Sequence, residues 1–263
     1  MSTAHLLCAG HPRGRSVVLA HGLEDSWECW LPLAPRLDPD WRLVALDLPW
    51  RPGNDYRWRR RPSSAWLAAG LSTLERPADL VLAHSFGANA MLELMCAGSP
   101  YRPGQAVLIC PLYRPPDVPV TWSVFDRARR AFERHIHDSL RSRLGRRTAV
   151  LPPDVVESMI AKAIDRVGPS GFLAVFEQFS SSAVLGLDAV DSAVLVLAGG
   201  ADPTLSPDAA GALAARIPGA RLVIGPDYDH FCHVQRPDEV AAAVLGFVRS
   251  PVLAAAQPEG VST

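Results

Sequence analysis

The 263-residue chain has little lysine, no paired cysteine motif and no long apolar run, and each shortage removes a class of protein. Lys162 is the single lysine, and the rest of the positive charge is arginine, a skew that points to coding bias more than to function. Formal net charge is -1, so the chain as a whole lacks the basic surface that a nucleic-acid partner requires. The five cysteines, Cys8, Cys29, Cys96, Cys110 and Cys232, are odd in number and widely spaced, with no Cys-x-x-Cys pair for zinc or redox chemistry. They read as buried reduced thiols. No apolar stretch reaches the roughly 18 residues that span a bilayer, because Asp188 and Asp191 interrupt the best candidate. The N-terminal Met-Ser-Thr-Ala-His-Leu-Leu-Cys has neither a basic n-region nor an adequate h-region, so the expected location is cytoplasmic. A chain of this length accommodates one domain with a large core, or a core plus a modest insertion.

What is present centres on residues 79–95. Asp79-Leu-Val-Leu-Ala-His reads as a short buried strand, His84-Ser85-Phe86-Gly87 as an abrupt turn, and the residues through Met95 as a helix. Ser85 sits at the apex, with Ala83 and Gly87 two residues away on either side. Small residues at those positions let strand and helix approach closely while the serine backbone is forced into a strained conformation. The hydroxyl then stands exposed above a helix N-terminus, whose free N–H groups stabilise negative charge.

This small-x-Ser-x-Gly elbow resembles that of the α/β-hydrolase family, and the resemblance runs from about Val17 to Val248. The commoner motif begins with Gly where this chain has Ala83. Ser16–Ala20 is a β-branched apolar run ending in His21-Gly22-Leu23, as a central parallel strand and its following loop would be. In the family such a turn carries one oxyanion-hole amide, which the resemblance assigns to Leu23, and the residue after the nucleophile carries the other, here Phe86. Helix signals start at Asp25 or Ser26, with Trp27, Trp30, Leu31 and Leu33-Ala34 as the apolar stripe, and a strand spans residues 41–46. The following Arg and aromatic mixture at residues 51–61 replaces the Gly-x-Gly turn of many relatives. It suits either a solvated loop, the commoner use of such a run, or a grip on an anionic or planar group. A helix from residue 62 to Leu74, the elbow helix to about Ala97 and a strand at residues 105–110 complete the first half.

Strands alternating with helices, each strand almost continuously apolar, predict an α/β fold: a doubly wound, mostly parallel sheet with helices on both faces. The alternation stops after Pro111. From residue 114 to 187 the pattern is helical, with helices expected at residues 122–144, 153–167 and 170–180. In the family a helical insertion at this place caps the active site, which gives a core of residues 1–113 and 188–250, a cap of 114–187 and a flexible tail of 251–263. The first cap helix carries Arg127, Arg129, Arg130, Arg134, Arg141 and Arg143, with Arg146 and Arg147 beyond, against only Asp126, Glu133 and Asp138. An exposed helix face explains most such arginine, and recognition of an acidic acyl carrier protein or an anionic substrate is the alternative.

A serine hydroxyl needs a neutral imidazole to take its proton and a carboxylate to orient that imidazole. In the family's order of Ser, acid and His, Asp202 stands in Gly199-Gly200-Ala201-Asp202-Pro203, on the loop after an apolar strand. A turn or helix cap is its bland reading. Asp188 and Asp191 lie at that strand's other end and are weaker candidates. His230, in His230-Phe231-Cys232-His233, resembles the family's catalytic histidine. Asp229 replaces the usual Gly and brings a second carboxylate near it. His21, Gly22 and His84 are read as lining or supporting a substrate pocket, and His233 as bonded to backbone or facing solvent. The resemblance implies a capped serine hydrolase cleaving an ester or thioester through an acyl-Ser85 intermediate, with a small-molecule acyl substrate and no metal, cofactor, nucleic acid or membrane. A thioesterase, cyclase or acyltransferase acting on a carrier, a non-hydrolytic relative and a ligand-binding protein are the alternatives.

Overall fold

A computed structural model describes residues 3–144 and 150–250 of the chain. Arg146, Arg147 and the expected tail of 251–263 lie outside the described residues. Among the described residues, seven strands form one sheet in the order β1-β3-β2-β4-β5-β6-β7. They are β1 (Thr3–Cys8), β2 (Ser16–Ala20), β3 (Arg42–Asp47), β4 (Leu80–His84), β5 (Gln105–Ile109), β6 (Ala193–Gly199) and β7 (Arg221–Gly225). Only β1 runs antiparallel, against β3, and its register shifts between Leu6 and Cys8. The other neighbours pair in parallel.

The continuous apolar strands have the burial that a two-sided cover demands. Every residue of β2 and β4 is buried, and successive side chains feed opposite faces. Val18, Ala20, Val81 and Ala83 face a core shared with α1 (Ser63–Leu71), α2 (Phe86–Cys96) and α5 (Pro207–Arg216). Val17, Leu19, Leu80 and Leu82 face a second core closed by Trp30, Trp41 and α7 (Pro237–Arg249). The short α6 (Cys232–Gln235) precedes α7. Helices on both faces and crossovers between parallel neighbours make this the doubly wound sheet that the periodicity predicts.

Between β5 and β6 the chain is helical. α3 (Trp122–Leu144) has the expected bounds, and α4 (Pro153–Ser181) joins the two remaining expected helices. Gly168, at φ 54, and Pro169 mark the join, because this backbone conformation and a proline without an N–H both break the helical ladder. The helix expected from Asp25 is instead two short 3-10 turns, Trp27–Trp30 and Ala34–Arg36. Pro32 and Pro35 remove the N–H groups that an α-helix would have used there.

Much of the segment 51–61 is exposed, as a solvated run would be, but part of it is committed to tertiary contacts. It contains a 3-10 turn, Tyr56–Arg60, whose Trp58 is buried against Phe86 with ring centroids 5.5 Å apart. Trp50, just before it, also meets Phe86 edge-on at 5.2 Å. Arg59 pairs with Glu177 of α4 at 3.2 Å, and Tyr56 donates to Glu24 Oε1 at 3.0 Å. Arg166 of α4 reaches the same Glu24 at 2.6 Å. The aromatic and arginine mixture therefore fastens the helical insertion to the sheet.

Candidate active site

Ser85 lies between β4 and α2 with φ 50 and ψ -118, a positive φ that a non-glycine residue adopts only under constraint from its surroundings. Its N–H donates to Ile109 O at 2.9 Å, which ties the turn to β5. Gly87 must be glycine, since a Cβ there would stand 2.5 Å from His21 O, a backbone atom that has nowhere to move. Asn89, one turn into α2, both donates to Leu112 O at 2.8 Å and accepts from Leu112 N at 2.7 Å. The loop after β5 is thereby held beside the serine.

The carboxyl ends of β6 and β7 bring the partners. His230 Nε2 lies 2.9 Å from Ser85 Oγ, and His230 Nδ1 lies 2.9 Å from Asp202 Oδ2. A carboxylate only accepts, so Nδ1 carries the proton toward Asp202 and Nε2 is left to accept the hydroxyl of Ser85. Thr204, unnoticed in the sequence, completes the arrangement. Its hydroxyl donates to Asp202 Oδ1 at 2.7 Å, while its oxygen lies 2.8 Å from His230 Nδ1 and shares that proton with Asp202. Its N–H donates to Asp202 Oδ1 as well, at 2.8 Å. Burial alone would raise the Asp202 carboxyl, but its contacts with His230 and then Thr204 outweigh burial and hold it down to about 2. An aspartate followed two residues later by threonine is a local side-chain turn, the signal that could have found Thr204.

Asp229 does not compete for the imidazole. Its Oδ1 accepts from Phe231 N–H at 2.8 Å, within its own turn. Asp191, the weaker acid candidate, is on the surface paired with Arg102 at 2.8 Å, and Asp188 belongs to a 3-10 turn before β6.

Ser85, His230 and Thr204 open onto a cavity of ≈ 210 Å³, whose wall also includes Leu23. The N–H of Phe86 is the first of α2, where no intrahelical acceptor exists for it. The rest of the wall is mostly apolar and is contributed largely by the insertion, with Ala128 and Phe132 of α3 facing Phe172 and Phe176 of α4. His135 of α3 was not singled out by its pattern. It is buried, lines the cavity, and meets the His230 ring edge-on with centroids 4.7 Å apart. Burial, then the nearby His230, pushes His135 down to about 3, so it is neutral at ordinary pH.

Of the two readings of His21, Gly22 and His84, lining the pocket or supporting it, their place behind the cavity wall fits the second. His21 is buried, donating through Nδ1 to Gly22 O at 2.7 Å and accepting from Leu48 N–H through Nε2 at 2.9 Å. Burial lowers it to about 4. A Cβ on Gly22 would meet His84 Nδ1 at 3.0 Å and Ser85 Cβ at 3.2 Å. His84 Nε2 donates to His230 O at 2.8 Å, fixing the backbone of the histidine that faces Ser85. His233 neither bonds backbone nor faces solvent. Among the described residues both its ring nitrogens lack hydrogen-bond partners, and the fully buried ring packs against His84 at 4.3 Å and Trp30 at 4.9 Å. Among the described residues, two sets of three donors lie within 4.8 Å of one another, Asp25 with Cys29 and His233, and Cys110 with Asp202 and His230. The second shares two members with the Ser85 hydrogen-bond chain, and its thiol is pushed up, through its hydrogen bond with Cys232 and burial, away from the thiolate a metal needs.

A family model described as the alpha/beta hydrolase family matches residues 17–243. The chain belongs to the alpha/beta hydrolase family. Solved structures share its fold at low identity. A bromoperoxidase from Bacillus anthracis is 17% identical, with TM-score 0.68 and 95% of each chain covered. An esterase from Rhodococcus sp. ECU1013 is 20% identical, with TM-score 0.65 and coverage of 95% of this chain and 94% of that one. An enol-lactonase from Burkholderia xenovorans LB400 is also 20% identical, with TM-score 0.62 and coverage of 95% and 96%. Among the described residues no helix is long and apolar enough to cross a membrane.

Proposed function

We propose that the protein is a serine hydrolase that cleaves a carboxylic ester or thioester through an acyl-Ser85 intermediate. One observation carries this reading: the unbroken chain of short contacts from Asp202 through His230 to Ser85, which ends at a strained serine beneath an apolar cavity. Ser85 Oγ attacks the carbonyl carbon as His230 Nε2 takes its proton, and Asp202 stabilises the imidazolium that forms. The N–H groups of Leu23 and Phe86 receive the oxyanion. His230 then returns the proton to the leaving alcohol or thiol. A water activated by the same imidazole releases the acid and restores Ser85. The helices of the insertion act as the cap that selects the acyl group and excludes water.

Treatment with a fluorophosphonate probe is the direct test. Covalent mass on the Ser85 peptide, and its loss in Ser85→Ala with the fold retained, supports the reading. A wild-type protein that is folded yet unlabelled and inert toward simple esters refutes it.

A second reading, release of an acyl chain from an acidic carrier protein, is favoured by one feature of α3. Arg127, Arg130, Arg134 and Arg141 are exposed and spaced as a single stripe of the helix. Long-range attraction would steer a carrier there, weakening as the Debye length falls from ~10 Å to ~3 Å between 0.1 and 1 M salt. Joint replacement of Arg130, Arg134 and Arg141 by Gln is expected to raise KM for carrier-bound substrate and flatten its salt dependence. Unaltered KM and salt response rule this reading out.

A further inference from the structure

The cavity wall carries one charged side chain that the proposed chemistry does not use. Arg127 of α3 lines the cavity and is also exposed, so it stands where the inward face of the helix turns toward solvent. Other arginines that join the insertion to the body are committed: Arg59 to Glu177 and Arg166 to Glu24. On α3 itself, Arg129 pairs with Glu133 at 2.6 Å. Arg127 makes no ion pair among the described residues. Every other polar wall residue except His135 belongs to the Ser85, His230 and Thr204 arrangement. His135 is neutral and cannot balance a charge.

The same helix supplies a ruler. His135 touches the His230 ring, and Arg127 lies eight residues earlier in the sequence. At about 1.5 Å per residue this puts the two roughly 12 Å apart along the axis of α3. The wall between them is apolar, with Ala128, Ala131 and Phe132 of α3 facing Phe172 and Phe176 of α4. A ligand that fills this space therefore meets the nucleophile at one end, hydrocarbon-like walls along its length and an uncompensated guanidinium at the other. A neutral chain would leave Arg127 idle, whereas a carboxylate or phosphate would find a planar, forked donor there.

We infer that the natural substrate is an ester or thioester carrying an anionic group, joined to the scissile carbonyl by an apolar spacer of about 12 Å, and that Arg127 binds the anion. This inference rests on the proposed hydrolase reading. The anion belongs either to the far end of the acyl chain or to the far end of the leaving group, and both present the same chemistry to Arg127.

Two matched pairs of substrates separate these sources. Ethyl decanoate against the monoethyl ester of sebacic acid, whose carboxyl carbons stand about 11 Å apart when extended, places the carboxylate on the acyl side. Octyl acetate against ω-acetoxyoctanoate places it on the alcohol side. For one pair the anionic member is expected to show kcat/KM about tenfold above its neutral partner, the scale of one charge-assisted hydrogen-bonded contact. That ratio should fall to near one in Arg127→Gln, survive in part in Arg127→Lys, and shrink with added salt. Neutral members favoured in both pairs, or a ratio that persists in Arg127→Gln, overturns the inference. Binding to Ser85→Ala, measured calorimetrically with sebacic acid monoamide against decanamide, reads the same preference without turnover. Should wild-type protein resist the fluorophosphonate and turn over no ester, the hydrolase reading fails, and this binding preference still decides the role of Arg127.

Discussion

Four buried histidines make the protein acid-labile in a calculable way. Burial is the leading cause in each: it lowers His21 to about 4, His135 and His233 to about 3, and His84 well below its ordinary range. In the unfolded chain each would titrate near 6.5. Below that value the unfolded state takes up protons that the folded state refuses, so stability falls with falling pH until the folded values are reached. One pH unit corresponds to about 1.4 kcal/mol per group, so at about pH 5 His21, His135 and His233 have each removed about 2 kcal/mol, about 6 kcal/mol together, and His84 acts in the same direction. That is comparable to the whole stability of an ordinary domain, about 5–15 kcal/mol. Asp47 and Glu93 act in the opposite sense, because burial holds their carboxyls above the usual range and the folded state binds protons more readily there. Their effect begins as pH falls to their raised folded-state values, above the usual carboxylate range, and is complete once the unfolded chain's carboxyls are also protonated. Urea unfolding followed by tryptophan fluorescence at about pH 7.5 and about pH 5 measures the slope. His233→Phe is the decisive variant, since its ring nitrogens form no hydrogen bonds among the described residues and a phenyl ring keeps the packing against His84 and Trp30. It should flatten the pH slope by about 1.4 kcal/mol per unit and raise stability at the acid end. Equal unfolding energies at the two pH values in the wild type, or an unchanged slope in the variant, would refute the reasoning.

Three further outcomes are expected. Asp202→Asn should lower kcat by about 10⁴ with the serine still present, because the amide holds His230 in the wrong tautomer, whereas Asp191→Asn removes only an exposed pair with Arg102 and should leave turnover near wild type. Thr204→Val removes the hydroxyl that contacts both Asp202 and His230 and should cost ten- to a hundredfold in kcat, on the order of 1.5–3 kcal/mol for hydrogen bonds to charged groups, with KM little changed. Thr204→Ser should recover most of that loss, and a serine variant as slow as the valine one would assign Thr204 to packing instead. Gly87→Ala should lower Tm by several degrees or more and reduce labelling of Ser85, since the added methyl collides with His21 O; a variant with wild-type Tm would show that the turn is not so tightly held.

The sheet was legible because its strands carry a signal that survives without context. Val17, Leu19, Val81 and Leu82 belong to continuous apolar runs, and only a sheet covered on both faces buries such runs completely. The α5 helix was overlooked although Ser206-Pro207-Asp208 is a start signal, and the Ser206 side chain does cap it by accepting from Ala209 N–H. β1 escaped for a different reason. Its residues are exposed or half-buried, it is an edge strand, and it pairs antiparallel through backbone bonds that leave little trace in side-chain pattern. The helix expected over residues 27–36 gave way to two 3-10 turns because Pro32 and Pro35 outweighed an apolar spacing that suited a helix.

The site divides along a similar line. Ser85 was singled out because it sits at the carboxyl end of a strand, in a turn whose small flanks are required by local sterics, and Asp202 and His230 because the segments that follow β6 and β7 resemble the family's acid and histidine motifs. Thr204 and His135 were not, because what brings them to His230 is tertiary. Thr204 follows Asp202 by two residues, but its second contact is with an imidazole 26 positions away. His135 lies on an arginine-rich helix whose pattern speaks mainly of an exposed face, and only the docking of that helix turns one of its histidines onto the His230 ring. The α4 helix against which α3 packs is in turn held by residues 51–61, through Arg59 to Glu177 and through Tyr56 to the Glu24 that Arg166 also reaches, the stretch whose composition suggested a solvated loop. Local sequence thus specifies the groups proposed to carry the chemistry, whereas the cavity wall depends on contacts between segments distant in sequence. It follows that substitutions which loosen the insertion, such as Glu177→Gln opposite Arg59, should alter the choice among acyl groups before they alter the rate on a small ester.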